Sequence, residues 1–272
     1  MDVAKALTIA GSDSGGGAGI QADLKTFQEL DVFGTSALTA VTAQNTLGVQ
    51  GVYPLSVDAV KEQIQSVGTD IAPGALKTGM LFSSEIIRTV SDMIQEFQWE
   101  KLVVDPVMIA KGGSALLQKE AIKCLKKNLI PLAYCITPNL PEAEEIVGFS
   151  ITNREQQELA AQSIYKMGAK HVVIKGGHGD GEQATDLLYD GEDFHFFTAS
   201  RIQTKHTHGT GCTYSAAITA ELAKGRPIYD AVSTAKSFIQ DAIENQLGIG
   251  AGHGPTNHWA YQKRKANQQI SF

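Results

Sequence analysis

Short apolar runs alternate along the chain with longer stretches whose apolar positions recur every three or four residues. Ala6-Leu7-Thr8-Ile9-Ala10 reads as a buried strand that ends at a glycine. Ile20, Leu24, Phe27 and Leu30 then share one face of a helix over 20–30. The same reading predicts strands over 35–43, 75–79, 102–105, 135–137 and 171–175. It predicts helices over 57–67, 84–97, 116–129, 211–223 and 228–246, and a short one from Pro141, where proline suits a first turn. Thr152-x-x-Glu155 predicts a capping box opening a helix to Met167. Apolar stretches over 184–189 and 193–198 flank Asp190-Gly191, which predicts a hairpin.

Strand–helix alternation predicts an α/β fold with a mostly parallel sheet covered by helices on both faces. No Pro- or Ser-rich linker, repeat or low-complexity stretch divides the chain, so a single domain over 1–272 is expected. Ligands bind such sheets beyond the carboxyl ends of the strands. The unusual sequences fall there: Gly11 to Gly19, Gln44-Asn45, Gly79-Met80, Asp105-Pro106-Val107-Met108, Asn139-Leu140-Pro141-Glu142 and Gly176-Gly177-His178.

Composition narrows the classes. With 43% hydrophobic and 19% charged residues the chain can bury a large core. A net charge of −6 supplies no attraction for nucleic acid or an anionic membrane. No apolar run is long enough to span a bilayer, and the first residues lack a signal-peptide pattern. Three cysteines without framework spacing fit a reducing cytoplasm. Cys124 and Cys135 fall at core positions of a helix and a strand.

The sharpest chemical signal is His206-Thr207-His208-Gly209-Thr210-Gly211-Cys212, a glycine turn that feeds a helix of small residues. Helix-start amides lack internal partners and lie at the positive end of the dipole, so such a turn is an anion hole. A tight turn before a buried helix explains the same residues. His206 and His208 lack the further ligands a metal site needs, and His178 reads as a loop residue. Gly15-Gly16-Gly17-x-Gly19 does not match a dinucleotide fingerprint, and no Gly-Lys-Ser/Thr phosphate loop is present.

The Thr207-x-Gly209-x-Gly211 frame resembles the closing motif of the ribokinase superfamily, Asp-Thr-x-Gly-Ala-Gly-Asp, with both acidic ends replaced. The Gly-Thr-Gly-Cys version is similar to that of hydroxymethylpyrimidine/phosphomethylpyrimidine kinases and of related bacterial pyridoxal kinases. The resemblance extends over Leu7 to Asp13, Gly16 to Thr26, Ala43 to Thr46, Lys77 to Leu81, Asp105 to Met108, Ile136 to Ala143 and Lys175 to His178. It implies a ribokinase-like three-layer sandwich, ATP as co-substrate, Mg²⁺, and a cytoplasmic homodimer.

It also implies roles. Cys212 would stand where the base removes the substrate proton, with Gly209, Thr210 and Gly211 forming the anion hole. A free thiol has a pKa of about 8.5, and a helix N-terminus favours its thiolate. Asp105 and Glu142 would hold magnesium, Lys175 and Asn139 would face ATP, and Gln44 would read the ring edge with its donor and acceptor. Gly11, Ala18, Asp23, Met80 and Val107 would complete the ring pocket, although Asp23 reads equally as a helix-surface acid and Met80 as core. The activity implied is phosphorylation of 4-amino-5-hydroxymethyl-2-methylpyrimidine and of its monophosphate in thiamine biosynthesis. Pyridoxal or pyridoxine phosphorylation is the alternative, and a sensor built on a decayed kinase is a third.

Overall fold

Each apolar run becomes a strand because only a sheet lets both of its faces be buried at once. The structure is a computed structural model, and it describes residues 3–108, 119–177 and 181–270. The strands are β1 (Lys5–Asp13), β2 (Phe33–Asn45), β3 (Gly48–Pro54), β4 (Ala75–Thr78), β5 (Leu102–Val104), β6 (Cys135–Ile136), β7 (Val172–Ile174), β8 (Gln183–Tyr189) and β9 (Phe194–Ser200). The helices are α1 (Gly19–Glu29), α2 (Val57–Asp70), α3 (Ser84–Glu96), α4 (Lys119–Cys124), α5 (Leu140–Val147), α6 (Arg154–Lys166), α7 (Thr210–Ala223), α8 (Ile228–Glu244) and α9 (Ala260–Ile270).

The strands form one sheet in the order β3-β2-β1-β4-β5-β6-β7-β8-β9. The ladders from β2 to β7 are parallel, and β3, β8 and β9 extend the sheet antiparallel at its two sides. Alternate side chains serve opposite layers. Leu7, Ile9, Leu76, Leu102, Val104, Ile136, Val172 and Ile174 pack with helices α2 to α6. Ala6, Ala75, Val103, Cys135 and Val173 pack with α1, α7, α8 and α9. Strand β1 lies between β2 and β4, so the chain moves one way through α1 and the other way afterwards. Right-handed crossovers then require helices on opposite faces, and the crevice opens where the direction changes.

Helix α7 is buried from Thr213 to Leu222, and its small residues let it lie close against the sheet. Its first turn is thereby fixed at the sheet's carboxyl edge.

Three expectations change. The helix predicted over 116–129 is described only from Lys119, residues 116–118 lying outside the described residues. Its second half is a widened turn over Leu125–Leu129, stopped by the tight turn at Pro131. The capping box expected at Thr152 and Glu155 forms one residue later as a simple cap. Asn153 accepts from the Gln156 amide at 2.9 Å, while Thr152 donates to the Gln156 side chain. Both Thr and Asn can cap, and the carboxamide took the position. Strand β3 and helix α9 were not predicted.

Candidate active site

The functional segments converge at the carboxyl ends of β1, β4, β5, β6 and β7, against the start of α7. Gly209 caps α7 in the left-handed region, with φ of 82°, and a Cβ there would overlap the Gly17 carbonyl. Only glycine satisfies both conditions. The Thr210 hydroxyl donates to the Thr207 carbonyl at 2.6 Å and closes the turn. A Cβ on Gly211 would lie 3.4 Å from the Lys175 ammonium and 3.6 Å from the Asp105 carboxylate. The backbone of the glycine turn therefore borders the charged residues directly.

Those residues form a compact cluster. Asp105 is 2% exposed and accepts from Lys175 Nζ at 3.1 Å. Glu142 is also buried. Asn139 and Glu142 form a complete capping box on α5, each side chain accepting from the other's backbone amide at 2.9 Å. Asn139 thus spends its carbonyl oxygen on the helix rather than on a ligand. Burial and the neighbouring Asp105 carboxylate push the Glu142 carboxyl up to about 7, against the pull of Lys175. Lys175 acts on both carboxyl groups, and Lys77 also acts on Asp105. Burial works against the charge of Lys175, but Asp105 and Glu142 prevail and hold its pKa above the ordinary value.

Lys77 is one of the residues that sequence reasoning missed. Its side chain has no exposed surface and donates to Asp23 Oδ1 at 2.7 Å, while Thr8 donates to Asp23 Oδ2 at 2.6 Å. Asp23 is therefore not a helix-surface acid: it is enclosed, both oxygens taken, and it keeps Lys77 charged. Cys212, which the resemblance places where the substrate proton is removed, lies in the first turn of α7. Desolvation pushes the thiol up to about 12, and the Asp23 and Asp105 carboxylates add to this against Lys77.

The residues that the resemblance implies at the ring lie on or just after β1, β2, β4 and β5 and at the start of α1. Gly11 packs on the Met80 methyl so closely that a Cβ would overlap it, and Thr39 holds the Met80 carbonyl at 2.6 Å. Ala18 begins α1 and donates its amide to Asp13 at 2.9 Å. Ser14 braces the Gln44 backbone, donating to its carbonyl and accepting from its amide at 2.8 Å each. Val107 follows Asp105, its amide bonded to the Asp105 carbonyl at 2.8 Å. Residues 109–111 and His178 lie outside the described residues. Asp13 and His208, not chosen from sequence, join the two sides: His208 Nε2 lies 2.8 Å from Asp13 Oδ2. Burial opposes the Asp13 carboxylate, but His208 and the Gly15 and Ala18 amides lower its pKa overall.

Fold and site together define a small-molecule phosphotransferase of α/β architecture. The phosphomethylpyrimidine kinase family model matches residues 13–257, and the chain belongs to that family. It is 56% identical to the hydroxymethylpyrimidine/phosphomethylpyrimidine kinase of Bacillus subtilis strain 168, over 98% of this chain and 99% of that one. A phosphomethylpyrimidine kinase structure from Clostridium difficile 630 superposes with a TM-score of 0.80 at 48% identity, covering 89% of this chain and all of that one. The ADP complex of Bacillus subtilis pyridoxal kinase superposes with a TM-score of 0.90 at 44% identity, covering 96% of this chain and 99% of that one.

Proposed function

We propose that this chain phosphorylates 4-amino-5-hydroxymethyl-2-methylpyrimidine, and then its monophosphate, with ATP. The observation that carries the reading is the close approach of Gly17 and Ala18 to the Gly209-Thr210-Gly211 turn, which on its other flank borders Lys175 and Asp105. The family match supports the substrate class.

Phosphoryl transfer needs alignment and charge stabilisation more than covalent help. The glycine-turn amides and Lys175 would hold the group in flight. Asp105 and Glu142 fit a magnesium ion as two buried carboxyl groups, Asp105 raising the proton affinity of Glu142 and only Asp105 being paired with Lys175. Bound there, the ion would neutralise phosphate charge. Asn139 would border the nucleotide while serving its cap. Gln44 and Val107 would meet the ring, and Asp23 would act beneath it by holding Lys77. Cys212, kept as a neutral thiol, would hydrogen-bond the attacking hydroxyl, whose proton would pass to an oxygen of the transferred phosphoryl group as the new P–O bond forms. The whole chain would act as one kinase domain, in the cytoplasm, as a homodimer. Val41, Leu47 and Tyr53, exposed on the β2–β3 ribbon, are apolar surface suited to a second copy.

The pyridoxal reading draws on the close superposition with pyridoxal kinase. ATP consumption with Mg²⁺ separates the two. Turnover of hydroxymethylpyrimidine and its monophosphate, well above that of pyridoxal or pyridoxine, is expected. Turnover confined to the pyridine substrates would overturn the assignment.

A further inference from the structure

The chain after α8 crosses both halves of the site. On one side, residues 250–256 bond to Thr46, in the turn between β2 and β3. His253 donates its amide to the Thr46 carbonyl at 2.8 Å, and Gly252 donates its amide to the Thr46 hydroxyl at 3.3 Å. On the other side they bond to the approach to the glycine turn. His208 donates its amide to the Gly254 carbonyl at 3.1 Å, and Thr256 donates its amide to the His208 carbonyl at 3.3 Å. Lys205 Nζ donates to the Ala251 carbonyl at 3.1 Å. Pro255 also lies against the loop before α1, since a Cβ on Gly17 would be 3.0 Å from its own Cβ.

Thr46 stands two residues beyond Gln44, and His208 immediately precedes Gly209. The segment is therefore a strap between the loop proposed to meet the ring and the turn proposed to hold the phosphoryl group. Contact leaves it no slack. A Cβ on Gly252 would lie 2.0 Å from the Thr46 carbonyl oxygen. Gly252 has no positive φ, so its backbone would accept alanine, and it is the Thr46 peptide that excludes one. Cβ atoms do not approach closer than 3.0 Å, so Gly252→Ala must part strap and turn by about 1 Å. In-line transfer depends on the alignment of acceptor and phosphate, and a misplacement of about 1 Å costs on the order of 100-fold in rate.

We propose that residues 250–256 are a positioning strap for the transfer step, fixing the distance between the ring loop and the phosphate turn, with Gly252 as the residue that sets it. This rests on reading Gln44 as meeting the ring and the Gly209-Thr210-Gly211 turn as holding phosphate. The strap touches neither reactant and acts through Thr46 and His208.

The test is the single-turnover rate of phosphoryl transfer from ATP to the hydroxymethylpyrimidine, with Mg²⁺ and both substrates saturating. Gly252→Ala should transfer about 10- to 100-fold more slowly at full amplitude, with the steady-state KM for ATP within about twofold of the wild type. Thr46→Val removes the hydroxyl that Gly252 reaches and should slow transfer about threefold. In the Gly252→Ala background, where the strap has already parted from Thr46, the valine should add almost nothing. A variant that merely folds poorly loses amplitude and keeps its rate. Wild-type rates at lowered amplitude, or additive effects of the two changes, would overturn the proposal. If Gly252→Ala yields no folded protein, Thr46→Val decides alone: a slower rate at full amplitude supports the strap, and a wild-type rate refutes it. Failure of the underlying readings shows separately. A wild type that transfers to pyridoxal and not to the pyrimidine removes the substrate assignment, and the same variants are then compared on pyridoxal. A Gln44→Leu enzyme with unchanged KM for its ring substrate removes Gln44 from the ring, and the proposal falls with it.

Discussion

Lys77 shows what one residue can demand of its surroundings. An ammonium with no exposed surface survives because Asp23 lies 2.7 Å away and Thr8 satisfies the second carboxylate oxygen. Removing one partner of such a pair leaves an uncompensated buried charge and costs about 3–5 kcal/mol. Asp23→Asn should lower unfolding stability in urea by that order, and Asp23→Asn with Lys77→Met should recover part of it. A double variant less stable than Asp23→Asn alone would show that Lys77 is held by something else. The signals were present in the sequence but were not local. A lysine in the apolar run Ala75-Leu76-Lys77-Thr78, and an aspartate on the same helix face as Ile20 and Phe27, are each out of place singly. They make sense together only when β1, β4 and α1 are in contact. Asp13 and His208 escaped for the same reason, being 195 positions apart.

At the level of elements, α5 combines two tasks. Its first turn is closed by Asn139 and Glu142, and the same Glu142 faces Lys175 and Asp105. A carboxyl titrating near 7 must lose its proton before it can hold a cation. Mg²⁺ affinity should therefore rise between about pH 6 and pH 8 and level off above, as followed by calorimetry. In Glu142→Gln this slope should vanish, and a slope that persists would assign the proton to another group. The helices and parallel strands were readable because burial on one or two faces leaves a period in the sequence. Strand β3 was not, since none of its residues is fully buried and two glycines fall within it. Thr152-Asn153 offered two cap registers, and sequence alone does not rank them.

Across the whole molecule, the segment that follows α8 returns to the start of α7. His258 is buried there, and Thr213 lies 3.0 Å from its Nε2. Burial, with Lys25 nearby, lowers its pKa to about 4. The unfolded chain therefore binds a proton that the folded one refuses between about pH 6.5 and pH 4. Stability from this group is complete above the unfolded value and is lost as pH falls through that window. The loss approaches about 3 kcal/mol at the acid end. Urea titrations of the wild type and His258→Gln should converge as pH falls, and parallel curves would remove His258 from the account.

The contact of Gly17 with Gly209 has a further consequence for how the protein comes into being on the ribosome. A nascent chain stalled before residue 209 already carries β1, β4 and Gln44, and so residues proposed to meet the ring. It has no glycine turn to receive a phosphate. With the roles proposed above, competence to transfer would arrive late in synthesis, when the last quarter of the chain docks against the first twenty residues, and an unfinished protein would lack the turn that spends nucleotide.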